Sequence, residues 1–225
     1  MNRMNYQRAL DQIIGHLNEE KRRPTLLLHS CCAPCSSYCL EYLSQYFAIT
    51  VYYYNPNITE KEEYLHRVSE QERLVKEFPT VSFREGPYDP ERFFEAARGL
   101  EKVPEGGERC FRCYELRLRE AVQEARRQGA DYVTTTLSIS PLKNAAKLNE
   151  IGERLAGEYG VCWLPGDFKK RDGYKRSVEL SVRYGLYRQN YCGCIYSKEE
   201  ARRREEGAGQ SQEDTVTAGE EDTCE

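Results

Sequence analysis

Eight of the ten cysteines of this chain fall into three tight groups. Cys31, Cys32, Cys35 and Cys39 stand in HSCCAPCSSYC, Cys110 and Cys113 in CFRC, and Cys192 and Cys194 in YCGC. Thiols that only pack a core scatter through apolar segments. Thiols spaced this closely are what metal ions, iron–sulfur clusters and redox switches require. Adjacent Cys31 and Cys32 suit one tetrahedral zinc poorly, because the chelate ring would be strained and zinc pairs usually leave about two to four residues between ligands. Two irons of one cluster accommodate them more readily. Cys110 and Cys113 form a good chelating pair, and the two pairs together match the thiolate complement of a [4Fe–4S] cluster. Zinc binding and a purely structural role stay open at this point.

The remaining thiols divide by setting. Cys35 completes C-x-x-C with Cys32 and could support the metal site or bind a second ion, while Cys39 could equally be a packing residue. Only Gly193 separates Cys192 from Cys194, so a disulfide between them would be strained and easily reduced. They read as a redox couple, with further metal ligation as the alternative. Cys162 lies in a strand-like run and reads as a core thiol. Cys224 sits in the acidic C-terminal stretch and is expected to take no part in the chemistry.

Composition narrows the setting for that chemistry. The N-terminus MNRMNYQRALDQ has no apolar core of a signal peptide, and no run approaches the ~18 apolar residues of a membrane span. A cytoplasmic chain is expected, and there clustered cysteines mean chelation or redox work rather than structural disulfides. The net charge of −4 conceals an asymmetry, because residues 207–225 hold six acidic residues and no basic one. That segment has no apolar periodicity and is expected to be a disordered tail behind a single domain of residues 1–206. The first 206 residues carry 33 basic against 31 acidic side chains, which neither demands nor excludes nucleic acid.

The elements that must position the thiols alternate between helix and strand. Tyr6, Leu10, Ile13, Ile14 and Leu17 recur at helical spacing, and residues 24–28, 49–54, 81–83, 131–135 and 161–164 read as strands. Thr59 and Glu62 form a capping box for a helix running to about Phe78, and Asp89-Pro90 opens another. Helices are expected from about Cys113 to Gln128, ending at Gly129, then through Ile151 and Leu155, and finally from Tyr174 to Tyr184. The pattern predicts an α/β fold: an open, mostly parallel, Rossmann-like sheet with helices on both faces. Ligands of such sheets gather at the carboxyl ends of the strands. The first cysteine group, Asn55-Pro56-Asn57 and the loop 136–144 should therefore share one edge.

With these motifs in hand, the sequence resembles the QueH family of epoxyqueuosine reductases over about residues 24–197. The resemblance rests on LLLHSCCAPCSSY, YNPNI followed by EYLHR, CFRCYELRL, TTTLSISPLKN and FKKRDGYKRSVELSVRYGLYRQNYCGCIYS, in that order. It implies a cobalamin-independent oxidoreductase of queuosine biosynthesis, which reduces the epoxide of epoxyqueuosine at the wobble position of tRNA to the alkene. It implies a [4Fe–4S] cluster held by Cys31, Cys32, Cys110 and Cys113, and a redox-active disulfide of Cys192 and Cys194. Some members hold an additional iron ion beside the cluster, with an Asp where this chain has Cys35. An electron donor is required, and the sequence does not identify it.

A tRNA substrate calls for phosphate contacts and base stacking. Lys169, Lys170, Arg171, Lys175 and Arg176, interleaved with Phe168 and Tyr174, form a candidate RNA-facing patch. Arg188 and Gln189, beside Cys192, could contact the modified base. The polar loop from Thr134 to Asn144, including Lys143, could hold phosphate or ribose. Tyr114, Tyr187, Tyr191 and His29 are candidate proton donors. Two other readings compete. One is an enzyme of the ATP-pyrophosphatase type, to whose HUP-like sheet the element order is similar, although HSCCAPCSS replaces the glycine-rich phosphate loop such enzymes need. The other is a non-enzymatic iron–sulfur or zinc carrier.

Overall fold

The β-branched and aromatic runs fold as strands because each is bounded by residues that stop a ladder, Pro24 before the first and Asn55-Pro56 after the second. The computed structural model describes residues 4–217. Their order is α1 (Tyr6–Glu19), β1 (Thr25–His29), α2 (Ala33–Leu43), β2 (Ala48–Tyr53), α3 (Lys61–Val75), β3 (Val81–Glu85), α4 (Pro90–Ala97), α5 (Glu108–Gln128), β4 (Tyr132–Thr135), a 3-10 turn (Thr136–Ile139), α6 (Ala145–Tyr159), β5 (Cys162–Trp163), α7 (Gly173–Arg183) and α8 (Ile195–Thr217).

The five strands pair in the order β3-β2-β1-β4-β5, and every pairing is parallel. This is an open, Rossmann-like α/β sheet. Alternate residues of β1 feed two cores: Leu26 and Leu28 pack with apolar residues of α1, α2 and α3, and Leu27 packs with those of α5 and α6. Helices therefore cover both faces. At the amino edge, Asp131 Oδ2 accepts from the backbone N–H and the hydroxyl of Thr25, each at 2.8 Å, tying the start of β1 to the start of β4. At the opposite edge the loops after β1, β2 and β4 open side by side, as the parallel pattern requires.

Four local expectations are corrected. Glu60, not Thr59, precedes the first turn of α3, and the Thr59 hydroxyl has no hydrogen-bond partner, so the capping box does not form. The CFRC pair lies within α5 rather than ahead of it, because the helix starts at Glu108 behind Gly107. Cys162 is exposed, since the two-residue edge strand β5 turns that side chain outward. The helix ending at Arg183 is not the last, because α8 follows the YCGC motif directly. α8 extends through Thr217, and the rest of the acidic segment, residues 218–225, lies outside the described residues, as does Cys224. Among the described residues no helix is long and apolar enough to cross a membrane.

Candidate active site

Cys31 and Cys32 occupy the step between β1 and α2, with Cys32 in extended backbone ahead of the first helical turn and Pro34 inside it. The Cys31 N–H donates to Thr136 Oγ1 at 3.2 Å, which anchors the step to the loop after β4. Below it, the hydroxyls of Ser30 and Ser36 lie 2.6 Å apart and both donate to Gln71 Oε1 of α3. This buried polar triangle fixes where α2 begins. Cys35 comes round on the first turn, so the sulfurs of Cys31, Cys32 and Cys35 all lie within 4.8 Å of one another. That group could hold a metal ion.

The three thiols share their protons unequally. Hydrogen bonds from Cys31 and then Cys35 hold the Cys32 thiol well below its ordinary range, whereas the contact with Cys32 pushes Cys31 up to about 12. Hydrogen bonds to Cys31 and Cys32, together with burial, raise Cys35 as well. Of the three, Cys32 is the thiol whose ionisation its neighbours favour. Cys39, one turn further along α2, is fully buried in the apolar core, as a packing residue should be.

α5 carries the second pair. The Cys110 sulfur accepts from the Gly106 N–H at 3.3 Å, and Cys110 and Cys31 pack against the same core cluster. Burial pushes the Cys113 thiol up to about 12. Cys113 and Cys194 pack together with Phe93 and Ala97, so the CFRC and YCGC motifs are neighbours.

The YCGC turn is held from α3 and from the loop after β2. Arg67 Nη1 and Asn57 Nδ2 donate to the Cys192 carbonyl at 3.2 and 3.5 Å, and the Arg67 guanidinium also lies over the Tyr191 ring. Gly193 has φ +123°, and a Cβ there would stand 2.8 Å from Ile58 Cγ1 and 3.2 Å from Arg67 Nη1, so only glycine fits. Cys194 immediately precedes α8 and exchanges hydrogen bonds with Ser197 at 3.3 and 3.4 Å. Burial, then the nearby Cys192, raise its thiol against those donors.

Two cavities bring the three groups together. A cleft of about 410 Å³ is lined by Cys31, Cys32, Cys35 and Cys192, by Lys143 and Glu105, and by Arg188, Gln189 and Tyr191. A narrow crevice behind it is lined by Cys110, Cys113, Cys192, Cys194, Tyr114, Asn57 and Arg109, and shares Glu105 and Lys143 with the cleft. Lys169 and Lys170 are elsewhere, on a second cleft of about 660 Å³ that shares Pro141, Leu142 and Lys143 with the first. Within the basic stretch, Lys169 pairs with Asp167, Arg171 with Asp11, and Arg176 with Glu41 and Glu179. Much of that charge is therefore answered within the chain.

Of the proton-donor candidates, His29 is structural. Its Nδ1 lies 2.8 Å from the Thr135 hydroxyl and its Nε2 donates to the Tyr54 carbonyl at 3.1 Å. Complete burial, with the Arg117 charge adding, holds its pKa down at about 3, so the ring is neutral. The Tyr187 hydroxyl donates to Glu63, outside the cleft. The Tyr114 hydroxyl is buried without a partner in the crevice, and Tyr191 stays with the cleft.

The residues that sequence reasoning missed are the arginines Arg67, Arg109 and Arg117, buried like Lys143 of the polar loop, which the sequence did single out. Arg67, Arg109 and Arg117 are each 1–2% exposed, and Lys143 8%. Arg117 has the thiols of Cys113, Cys192 and Cys31 as electrostatic neighbours, and its Nε and Nη1 have no hydrogen-bond partner. Buried cations demand negative charge nearby. Glu63, Glu200 and Glu105 supply it to Arg67, Arg109 and Lys143, whereas Arg117 pairs with no carboxylate among the described residues and is left to thiolates, or to a metal or cluster bound through them. The donor set therefore fits an anionic thiolate-ligated centre and fits a bare, neutral set of thiols poorly.

A sequence model of the family described as epoxyqueuosine reductase QueH matches residues 26–200. Curated relatives carry the same name. That of Staphylococcus epidermidis is 44% identical over 202 residues, spanning 87% of this chain and 85% of its own. That of Streptococcus pyogenes serotype M1 is 44% identical over 200 residues, spanning 87% and 78%. That of Thermotoga maritima is 35% identical over 186 residues, spanning 80% and 93%.

Proposed function

The chain belongs to the QueH family of epoxyqueuosine reductases, and we propose from that membership that it converts epoxyqueuosine in tRNA to queuosine. The observation that carries the reading at the level of chemistry is the meeting of the three cysteine groups across a cleft and an adjoining crevice that share Cys192, Lys143 and Glu105. The volume of the cleft is in the range of small-molecule sites and admits a modified base rather than an intact anticodon loop. The wobble nucleotide would enter unstacked, as bases do when chemistry is performed on them.

Cys31, Cys32, Cys110 and Cys113 are the ligands proposed for a [4Fe–4S] cluster, with Cys35 close enough to Cys31 and Cys32 to join in holding an additional iron. A cluster in that position supplies single electrons. Cys192 and Cys194 form the proposed two-electron thiol–disulfide couple, held towards the cleft by Arg67 and Asn57. Arg188 and Gln189 at the cleft contact the base, and Lys169 and Lys170 on the adjoining cleft meet the RNA backbone. Action on tRNA implies a cytoplasmic enzyme. A metal carrier or an ATP-pyrophosphatase is not favoured, because family membership covers all five motifs and neither role needs the YCGC turn.

The test is anaerobic purification with iron, sulfide and zinc analysis and EPR before and after dithionite, followed by nucleoside mass spectrometry of epoxyqueuosine-containing tRNA. Matching iron and sulfide with a reducible signal, and loss of one oxygen from the modified base, are expected. Stoichiometric zinc without sulfide, and an unchanged nucleoside, would overturn the reading.

A further inference from the structure

The reduction requires something to stabilise the epoxide oxygen as it departs. Both C–O bonds break, a carbon–carbon π bond forms, and the oxygen leaves as water after taking up two electrons and two protons. Negative charge gathers on that oxygen when the first C–O bond opens. A fixed cation or hydrogen-bond donor in a water-poor site is the usual answer to such charge.

Lys143 meets that description. It lies in the loop between the 3-10 turn and α6 and lines the first cleft, the second cleft and the crevice at once. Its Nζ donates to Glu105 Oε1 at 2.6 Å, which uses one of the three ammonium N–H groups. Burial works against the charge, but Cys192, Tyr114 and Glu105 outweigh it and keep the amine protonated. The alternatives are placed differently. His29 is neutral and fully engaged, Arg188 sits exposed at the rim, and the Tyr114 hydroxyl faces the crevice rather than the cleft.

We propose that Lys143 is a catalytic residue of the reductase, its ammonium donating a hydrogen bond to the epoxide oxygen while Glu105 holds it in place. The proposal rests on the epoxide reduction proposed above. The electrons come from a low-potential one-electron reductant, dithionite in the test, and the protons come from solvent, so Lys143 itself need not be consumed. Glu105 is also approached by Arg204 at 3.4 Å, so removing Lys143 does not leave that carboxylate without a cation.

The experiment compares wild type, K143M and E105Q as reconstituted enzymes on epoxyqueuosine-containing tRNA with dithionite. If Lys143 touches the reacting oxygen, K143M loses about 10²–10³-fold in kcat, with KM for tRNA, iron content and melting temperature close to wild type. E105Q keeps the ammonium and loses less than about tenfold. A salt bridge with only a structural role predicts equal losses in the two variants, because each breaks the same pair. Equal losses, a K143M rate within about threefold of wild type, or a loss that follows lost iron would each overturn the proposal. Should K143M not fold, K143Q is judged by the same criteria. Wild type that leaves the epoxide intact overturns the functional reading together with this proposal, whereas active wild type with an equally active K143M overturns this proposal alone.

Discussion

Arg117 donates through Nη2 to the side-chain oxygen of Asn55, and both residues are fully buried. Asn55 Nδ2 passes the link on to the Ser30 carbonyl at 2.9 Å, one residue before Cys31. Three residues thus join the helix that bears Cys110 and Cys113 to the turn that bears Cys31 and Cys32. The spacing between the two pairs is set by this chain of hydrogen bonds as well as by packing.

Replacing Arg117 with Met separates its structural role from its electrostatic one. The metal-free protein gives up the bond to Asn55 but also sheds a buried charge with two unpartnered nitrogens, so urea unfolding should change by no more than about 1 kcal/mol. Iron retained after anaerobic purification should fall at least about twofold, because an anionic centre loses a buried counter-charge that pairs with no carboxylate among the described residues. A large loss of apo stability with normal iron content would contradict this account.

Gly193 tests the geometry of the YCGC turn. Ala at φ +123° strains the backbone and drives a methyl group into Ile58 and Arg67. A loss of about 1–3 kcal/mol is expected in urea denaturation. An unchanged midpoint would mean that the turn does not have this conformation.

Cys192→Ser tests the redox pair. Serine is nearly isosteric and the carbonyl contacts of residue 192 come from the backbone, so folding and iron content should be normal. Turnover should fall at least about a hundredfold, because the two-electron couple is gone. Multiple-turnover activity near wild type would remove the couple from the mechanism.

His29 gives the metal-free protein a pH dependence. Its folded pKa is about 3 against the ordinary 6.5, so the unfolded chain binds the extra proton first as pH falls. The contribution is fully present above pH 6.5 and declines below it, by about 1.4 kcal/mol per pH unit until carboxylates also titrate near pH 5. Urea midpoints measured from pH 7 to 5 should show this slope in wild type and a flatter one in His29→Asn.

The cysteines and the edge they share were legible because clustered thiols have few other uses and because a parallel strand pattern fixes which loops are neighbours. The arginines were not legible. Arg67 and Arg117 sit in helices rich in Glu and Arg, and spacing alone assigns such positions to solvent. Only the fold reveals that these two turn towards thiols and backbone carbonyls. α8 escaped notice because its start has almost no apolar stripe. It docks through Ser197 and Ala201 and through the Glu200–Arg109 ion pair, 3.0 Å long. Cys162 looked apolar by its neighbours, yet a two-residue edge strand has an open side.

The clasp between Asp131 and Thr25 stands at the rim of the sheet opposite the cleft. Robustness and reactivity thus occupy different ends of the same strands. Substitutions that tighten the amino rim can raise heat tolerance without touching the reactive end, and loops at the other rim can diverge in substrate preference without unseating the frame. The architecture leaves these two traits free to be selected, or engineered, one at a time.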